Sequence, residues 1–255
     1  MRPVALALSP HLDDAAFSAG GTLARLAFDG WRVVVATIFT ASVPDPIGFG
    51  LACQLDKGLG PEVDYMALRR REDEAATAAL GAEHRWLPFR EAPHRGYGSA
   101  AVLFGEPNPD DDVVREIVPT LRDLLGDTKP ALILAPQAIG GHVDHVQLVA
   151  AIEAVTPDCP VLWWRDFPYV AREATPAEPL RDRMHRLPET QVRLGAGERV
   201  RKRDACRAYA SQLGFQFGGR EGLDARLDAT GGTELFRVAG RMPDTLLAEV
   251  ADAAE

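Results

Sequence analysis

The fold is decided by residues 4–28, which read VALALSPHLDDAAFSAGGTLARLAF. This segment begins with a short apolar run, residues 4–8, that is typical of a buried β-strand. From residue 15 to residue 28 the apolar side chains recur at helical spacing. Between the two patterns lie a histidine and two aspartates, within residues 11–14. The segment therefore predicts a βα unit with polar side chains at the carboxyl end of its strand.

The same alternation of strand and helix patterns continues along the chain. Further strands are predicted at residues 32–39, 84–88, 131–135 and 161–164, and further helices at residues 64–80, 111–125 and 143–155. Repeated βα units predict an α/β fold with a Rossmann-like, mostly parallel sheet and helices on both faces. Residues 41–62 and 91–110 are rich in Gly, Pro and Asp, and are predicted to be long loops over the sheet. No repeat or composition shift marks a boundary, so we expect residues 1–255 to form a single domain.

Composition excludes several classes of function. The chain has 255 residues, 46% of them hydrophobic, with a formal net charge of −9 that opposes binding to nucleic acid or to anionic membranes. No stretch approaches the ~20 apolar residues of a membrane-spanning helix. The three cysteines are too far apart for a metal clip and are expected to be reduced thiols of a soluble, cytoplasmic protein. The expected partner is a small molecule; the sequence leaves the oligomeric state open, a homo-oligomer included.

A second polar segment follows another predicted strand. Residues 140–145 read GGHVDH, so that His142 and His145 are spaced by three, as His11 and Asp14 are in the first segment. Taken singly, each segment is more typical of helix capping. However, the carboxyl ends of parallel strands share one sheet edge, where both segments can meet. Imidazole and carboxylate are the ligands of catalytic zinc sites, so the pair of segments predicts a metal-dependent hydrolase.

The paired motifs His-x-Asp-Asp and His-x-Asp-His resemble those of the zinc-dependent N-deacetylases of the PIG-L/LmbE type, which remove acetyl or other acyl groups from amino sugars. The other segments that resemble this family are GGTLA at residues 20–24, RRRED at residues 69–73 before Leu-Gly at 80–81, FPY at residues 167–169, and the run from Lys202 to Gln212. The resemblance covers roughly residues 3–217, and the ordered set of motifs is more specific than any one of them.

The resemblance implies a site for one metal ion. By position in the motifs, His11, Asp14 and His145 would bind the metal, and Asp13 would be the general base. The family resemblance implies Zn²⁺, although Fe²⁺, Co²⁺ or Mn²⁺ also suit two imidazoles and one carboxylate. The implied reaction is hydrolysis of the N-acyl amide of an amino sugar or related glycoconjugate, by water that Asp13 activates.

The resemblance also implies roles for four further residues. His142 would stabilise the oxyanion or donate a proton, with Asp144 orienting its ring. Arg69 and Glu91 would contact sugar hydroxyls, although an Arg and a Glu in a charged segment are also typical of surface ion pairs.

Three positions depart from the family pattern. Leu12 stands where the family usually has Pro, Ala15 where a Glu commonly follows the two aspartates, and Glu91 where an Asp is frequent. A family member that has lost catalysis and only binds a small molecule therefore remains the alternative to a deacetylase. A nucleotide-binding module is disfavoured, because the first strand lacks a Gly-x-Gly-x-x-Gly turn.

Overall fold

A seven-stranded sheet forms the centre of the computed structural model, which describes residues 2–172 and 175–247. The strands are β1 (Val4–Ser9), β2 (Arg32–Thr37), β3 (Glu83–Trp86), β4 (Leu132–Pro136), β5 (Val161–Trp164), β6 (Glu189–Arg193) and β7 (Thr233–Ala239). The helices are α1 (Asp14–Phe28), α2 (Gly48–Leu55), α3 (Tyr65–Leu80), α4 (Ala100–Leu103), α5 (Val113–Thr128), α6 (Val143–Val155), α7 (Phe167–Arg172), α8 (Arg181–Met184), α9 (Ala196–Ala208), α10 (Ala210–Phe217), α11 (Arg220–Ala229) and α12 (Asp244–Leu247). Among the described residues, no helix is long and apolar enough to cross a membrane.

The sheet has the strand order β3-β2-β1-β4-β5-β7-β6. The first five strands in this order are parallel; β7 then pairs antiparallel with β5, and β6 pairs antiparallel with β7. The predicted α/β fold with a mostly parallel sheet is thus confirmed. From β1 the chain builds outward to β2 and β3, and it then returns to place β4 on the other side of β1. This reversal puts the carboxyl ends of β1 and β4 next to each other, which is where open α/β sheets bind ligands.

Two apolar layers cover the sheet, because successive side chains of a buried strand point to opposite faces. Ala5 and Ala7 of β1 belong to the layer formed with α1, α3 and α9, whereas Leu6 and Leu8 belong to the layer formed with α5 and α6. Both faces of β1, β2, β4 and β5 are therefore largely buried, as their near-continuous apolar runs predict, whereas β3 at the sheet edge is mostly exposed. Because β1 and β4 are buried in this way, the strand ends that carry the polar motifs have fixed positions relative to each other.

The boundaries of the predicted elements agree with the structure to within a few residues, and those of β5 and α6 agree at both ends. Two expectations require correction. The segment 41–62 contains α2, and the segment 91–110 contains a 3₁₀ turn (Ala92–His94) and α4, so neither is a loop throughout. These elements have eight residues or fewer, too short to give a periodic signal. The sequence patterns also did not predict β6 and β7.

A buried carboxylate in β7, that of Glu234, links the C-terminal part of the described chain to α1. The carboxylate of Glu234 accepts hydrogen bonds from the backbone N–H groups of Gly21 and Thr22, at 2.9 and 2.8 Å, and from the Thr22 hydroxyl. It also forms a 2.7 Å ion pair with Lys202 of α9, and both side chains are almost fully buried. Four donors thus compensate one buried carboxylate, which joins α1, α9 and β7.

Replacing Glu234 by Leu is expected to destabilise the fold by about 3–5 kcal/mol, because it leaves the Lys202 ammonium buried without its partner. Lys202→Met should cost less, since Glu234 keeps its three donors from α1. The free energy of unfolding in urea measures both effects. The double variant should be less destabilised than the sum of the two single variants. A Glu234→Leu protein within about 1 kcal/mol of the unmutated protein would contradict the importance of this pair.

Candidate active site

The chain turns sharply after β1, and side chains of the turn hold its shape. The hydroxyl of Ser9 donates to the carbonyl of His11 at 2.7 Å and accepts from the N–H of Ala15 at 3.1 Å. The N–H of His11 donates to Asp14 Oδ2 at 2.9 Å. These bonds fix the entry into α1, and they place His11, Asp13 and Asp14 at the carboxyl end of β1.

The turn after β4 depends on two glycines. Gly140 and Gly141 have φ values of +97° and +76°, in the left-handed region that glycine adopts without strain. A Cβ atom on Gly140 would lie 2.3 Å from the ring of Tyr169, so the close approach also requires glycine. The turn leads into α6, which has His142 as its N-cap residue.

Three predicted ligands converge on one point between the two turns. The Oδ2 atom of Asp14 lies 3.2 Å from Nδ1 of His11 and 3.3 Å from Nε2 of His145. Ligand atoms about 2.1 Å from one tetrahedral ion are separated by about 3.4 Å, so these spacings fit a single cation. Within the described residues, the buried Nε2 of His145 forms no hydrogen bond, as expected of a nitrogen that is available as a ligand.

A second carboxylate holds each of these two imidazoles from its other nitrogen. Asp144 Oδ2 lies 2.9 Å from Nε2 of His11, and Asp166 Oδ1 lies 2.8 Å from Nδ1 of His145. Such carboxylate partners fix the tautomer and orientation of a metal-ligating histidine. The sequence pairs Asp144 with His142; the two side chains are 3.9 Å apart, and the carboxylate lies closer to the His11 ring, while the backbone N–H of Asp144 contacts the His142 ring.

The carboxylates make the site strongly negative. Burial lowers the pKa of His11 and of His145, but contacts with Asp14, Asp144 and Asp166 outweigh it and raise these values to about 10 and about 9. Burial raises the pKa of Asp144, yet its hydrogen bond to His11 and the nearby charges hold it well below the ordinary value. A site that holds positive charge on its imidazoles this firmly is electrostatically suited to a divalent cation.

His142 lies close enough to form an alternative ligand set with His11 and His145, since one ring nitrogen of each lies within 4.8 Å of the others. Its hydrogen bonding argues against that role. The backbone N–H of Asp144 donates to Nδ1 of His142 at 3.2 Å. Burial and the positive charge of His11 hold its pKa well below the usual value, so the ring is neutral and carries its proton on Nε2. His142 is therefore a hydrogen-bond donor beside the cluster.

Asp13 is the N-cap residue of α1, yet its side chain forms no capping hydrogen bond. Its Oδ1 atom lies 3.2 Å from the guanidinium of Arg69, and its Oδ2 atom accepts from the side-chain amide of Gln216 at 3.0 Å. Burial raises the pKa of Asp13 to about 6, although the charge of Arg69 opposes this effect. A carboxylate with this pKa can accept a proton and release it near neutral pH.

Asp13, Asp14, His11 and His142 open onto a cavity of about 470 Å³. Arg69 and Glu91 also line this cavity and form an ion pair of 2.6 Å. Arg69 is only 4% exposed, so it is not one of the solvated surface groups that its charged segment suggests. The structure therefore brings all eight predicted site residues into one region around the cavity, while the substrate contacts of Arg69 and Glu91 stay predictions.

Three residues at the site were missed by the sequence reasoning. Asp166 follows β5 and holds His145, Arg95 donates to Asp144 at 2.8 Å, and Gln216 donates to Asp13. Of these three, only Asp166 could be found from the sequence pattern, because it is an acidic residue at the carboxyl end of the next parallel strand along the sheet.

Neither Leu12 nor Ala15, which depart from the pattern in the sequence, lines the cavity. Both side chains are fully buried, and Ala15 packs in the apolar layer with α3 and α9. Because the side chains at positions 12 and 15 lie outside the cavity wall, having Leu and Ala there takes no polar group from that wall.

Comparison with known proteins identifies the family. The PIG-L family, described as GlcNAc-PI de-N-acetylase, matches residues 6–156, which are more than half of the chain. The chain belongs to the PIG-L family. The match contains both polar motifs, whereas Asp166 and Gln216 lie beyond its end.

Two curated relatives within the PIG-L family are similar in sequence. A 2'-N-acetylparomamine deacetylase of Streptomyces fradiae is 35% identical over 178 residues, covering 68% of this chain and 60% of that protein. A 1D-myo-inositol 2-acetamido-2-deoxy-alpha-D-glucopyranoside deacetylase of Rhodococcus opacus (strain B4) is 33% identical over 174 residues, covering 62% of this chain and 57% of that protein. The chain thus spans about 60% of the length of these relatives.

Solved structures of deacetylases share the fold over nearly the whole chain. The zinc inhibited form of teicoplanin deacetylase Orf2 superposes with a TM-score of 0.77 at 28% identity, covering 92% of this chain and 98% of that chain. The A40926 pseudoaglycone deacetylase Dbv21 superposes with a TM-score of 0.76 at 30% identity, covering 95% and 100% respectively. The likeness therefore extends well past the residues that match the PIG-L family.

Proposed function

We propose that this chain is a zinc-dependent N-deacetylase that removes the acetyl group from an N-acetylated amino sugar. The observation that carries the proposal is the convergence of His11, Asp14 and His145 on one point, beside Asp13, a carboxylate that makes no capping hydrogen bond to α1. The Nε2 atom of His145, which has no hydrogen bond among the described residues, and the outer carboxylates on both imidazoles suit a metal ligand set. Relatives that carry deacetylase names support the same reaction.

His11, Asp14 and His145 would hold the ion. A divalent cation bound there would polarise the acyl carbonyl and lower the pKa of water. Asp13 then accepts the proton of the attacking water, because its pKa of about 6 leaves it ionised at neutral pH. Arg69 and Gln216 hold one carboxylate oxygen each, so the base keeps a fixed orientation during the transfer.

The tetrahedral oxyanion requires a donor, and His142 can supply one. Its Nδ1 atom is occupied by the N–H of Asp144, so the neutral ring presents Nε2–H to the cavity region. Collapse of the oxyanion breaks the C–N bond, and the leaving amine takes the proton that Asp13 received from water. The products are acetate and the free amine, with one water consumed.

The cavity suits a sugar that carries the amide. Arg69 and Glu91 offer a donor and an acceptor to ring hydroxyls near Asp13. Towards solvent the wall includes Phe104 and Phe215, which are 41% and 56% exposed. These rings offer flat surfaces to a sugar ring. Amino-sugar derivatives in the names of two relatives support this substrate class.

Metal content and amine release together test the proposal. Protein stripped with a chelator is titrated with zinc from below one equivalent, and amine release from an N-acetylglucosaminyl glycoside is followed at each step. We expect activity to rise up to one zinc per chain. A metal-free protein that does not respond to zinc, cobalt or iron(II) would contradict the proposal. A protein that binds zinc and substrate without releasing amine would instead be a binding member of the family.

Asp144→Asn is expected to weaken zinc binding by about 10–100-fold, because the His11 ring loses its anionic partner. Competition with a chromophoric chelator measures this affinity directly, independently of catalysis. Asp127→Asn is the matched control, since Asp127 is an exposed aspartate that pairs with Arg85 at the surface. Equal zinc affinities of the two variants would show that Asp144 does not support the ligand.

A further inference from the structure

Gln216 is the one contact of Asp13 that comes from the C-terminal part of the described chain. It lies in α10, outside the motifs of the sequence, and its side chain lines the cavity. The amide nitrogen Nε2 of Gln216 donates to Asp13 Oδ2 at 3.0 Å. This hydrogen bond joins residues that are 203 positions apart, so the fold places Gln216 beside the base.

The contact with Asp13 sets the orientation of the Gln216 amide. A carboxylate accepts hydrogen bonds, so the NH₂ group faces Asp13 and the carbonyl oxygen Oε1 faces away from it. That oxygen is buried and has no hydrogen-bond partner among the described residues. A buried acceptor without a donor is unfavourable, and such exceptions in folded proteins call for an explanation. A ligand in the cavity can supply the missing donor.

We propose that Oε1 of Gln216 accepts a hydrogen bond from the N–H of the scissile amide, which makes Gln216 a residue that selects secondary amides. The proposal rests on the deacetylase function. The scissile group has one donor, the N–H, next to the carbonyl that undergoes attack. The Gln216 amide then contacts the leaving nitrogen through Oε1 and the base through its hydrogen bond from Nε2 to Asp13.

This arrangement has a consequence for substrate chemistry. An acetyl ester has no N–H, so it leaves Oε1 of Gln216 buried without a donor. The same holds for an N-alkylated amide. The site should therefore favour N-acetyl over O-acetyl groups at the same position of a sugar, beyond the intrinsic reactivity of the two groups. A site that hydrogen-bonds a substrate N–H discriminates strongly against an analogue that lacks it.

The test compares an amide with its ester. We would measure kcat/KM for a glycoside with a 2-acetamido group and for the same glycoside with a 2-acetoxy group, using the zinc-loaded protein and Gln216→Met. Methionine has a similar length but no acceptor or donor of comparable strength. Loss of the contact with Asp13 impairs the base for both substrates, a share that Gln216→Glu measures, whereas loss of the N–H contact lowers only the amide rate. We expect the amide-to-ester ratio to fall at least about tenfold.

Two further variants sharpen the result. Gln216→Glu keeps an acceptor but loses the donor to Asp13, so both rates should fall while the amide-to-ester ratio stays near that of the unmutated protein. Gln191→Met changes an exposed glutamine of β6 and controls for the substitution itself. Zinc content and thermal unfolding show whether each variant retains the fold.

Several outcomes would overturn the assignment. If Gln216→Met lowers amide and ester hydrolysis by the same factor, Gln216 only positions Asp13. If neither rate changes, Gln216 contributes to neither step. If the unmutated protein releases no amine from any acetamido sugar, the deacetylase function itself fails, which is distinct from an active enzyme with an unchanged ratio.

Discussion

Asp13→Asn is expected to lower kcat/KM for amide hydrolysis by about 10²–10⁴-fold while zinc still binds at one equivalent. The asparagine keeps the shape of the side chain and an oxygen that can face Arg69, but it cannot take a proton from water. The side chain contributes no capping hydrogen bond to α1, so the fold should not depend on its charge. Steady-state kinetics on an acetamido glycoside and elemental analysis give the two readouts.

The control for this prediction is Asp110→Asn, which makes the same substitution at an exposed loop position away from the cavity. It should leave activity and zinc content unchanged. An Asp13→Asn protein that keeps more than a tenth of the activity would remove Asp13 from the role of base. Loss of zinc from this variant would instead mean that Asp13 supports metal binding.

Asp14→Asn, one residue further along, is expected to have a different signature. Its Oδ2 atom is the point that His11 and His145 share, so the substitution removes both a ligand and the charge that compensates two imidazoles. Even outer partners of metal ligands change affinity by about 10–100-fold, so we expect a loss of more than about 100-fold in zinc affinity, with no activity at one equivalent. Zinc titration against a competing chelator measures the loss.

The neighbouring variants act as controls for each other. Asp13→Asn should retain zinc without activity, whereas Asp14→Asn should lose both, although the two carboxylates are adjacent in sequence and equally buried. Tight zinc binding by Asp14→Asn would refute the ligand set of His11, Asp14 and His145. It would favour the alternative set in which His142 is the third ligand.

The sheet edge that carries the site was predictable because both of its strands are buried on both faces. β1 and β4 read as short apolar runs, and the polar motifs follow them directly. β7 was not predictable in this way. Its inward positions are Glu234, Phe236 and Val238, and a buried charge among them breaks the apolar alternation that marks a strand. β6 buries only Val192, so it gives almost no signal.

Within the site, the sequence predicted the residues that belong to dense local motifs. It placed His11, Asp14 and His145 correctly at one edge because topology brings parallel strand ends together. It could not find Gln216 or Arg95, whose importance depends on contacts across the fold rather than on spacing. For the same reason it assigned Asp144 to its sequence neighbour His142 rather than to His11.

The buried contacts of Glu234 with Lys202 and α1 bear on how this chain can be recombined with its relatives. The part of the chain that matches the PIG-L family ends at residue 156, and it is an obvious segment to exchange between relatives. Yet the partner of His145, the contact of Asp13 and the anchor of α1 all come from residues after 156. A chimaera joined at residue 156 takes both motifs from one protein and the residues that contact them from another. Crossovers that keep both members of each of these three contacts from the same parent should yield many more active hybrids than a crossover at residue 156.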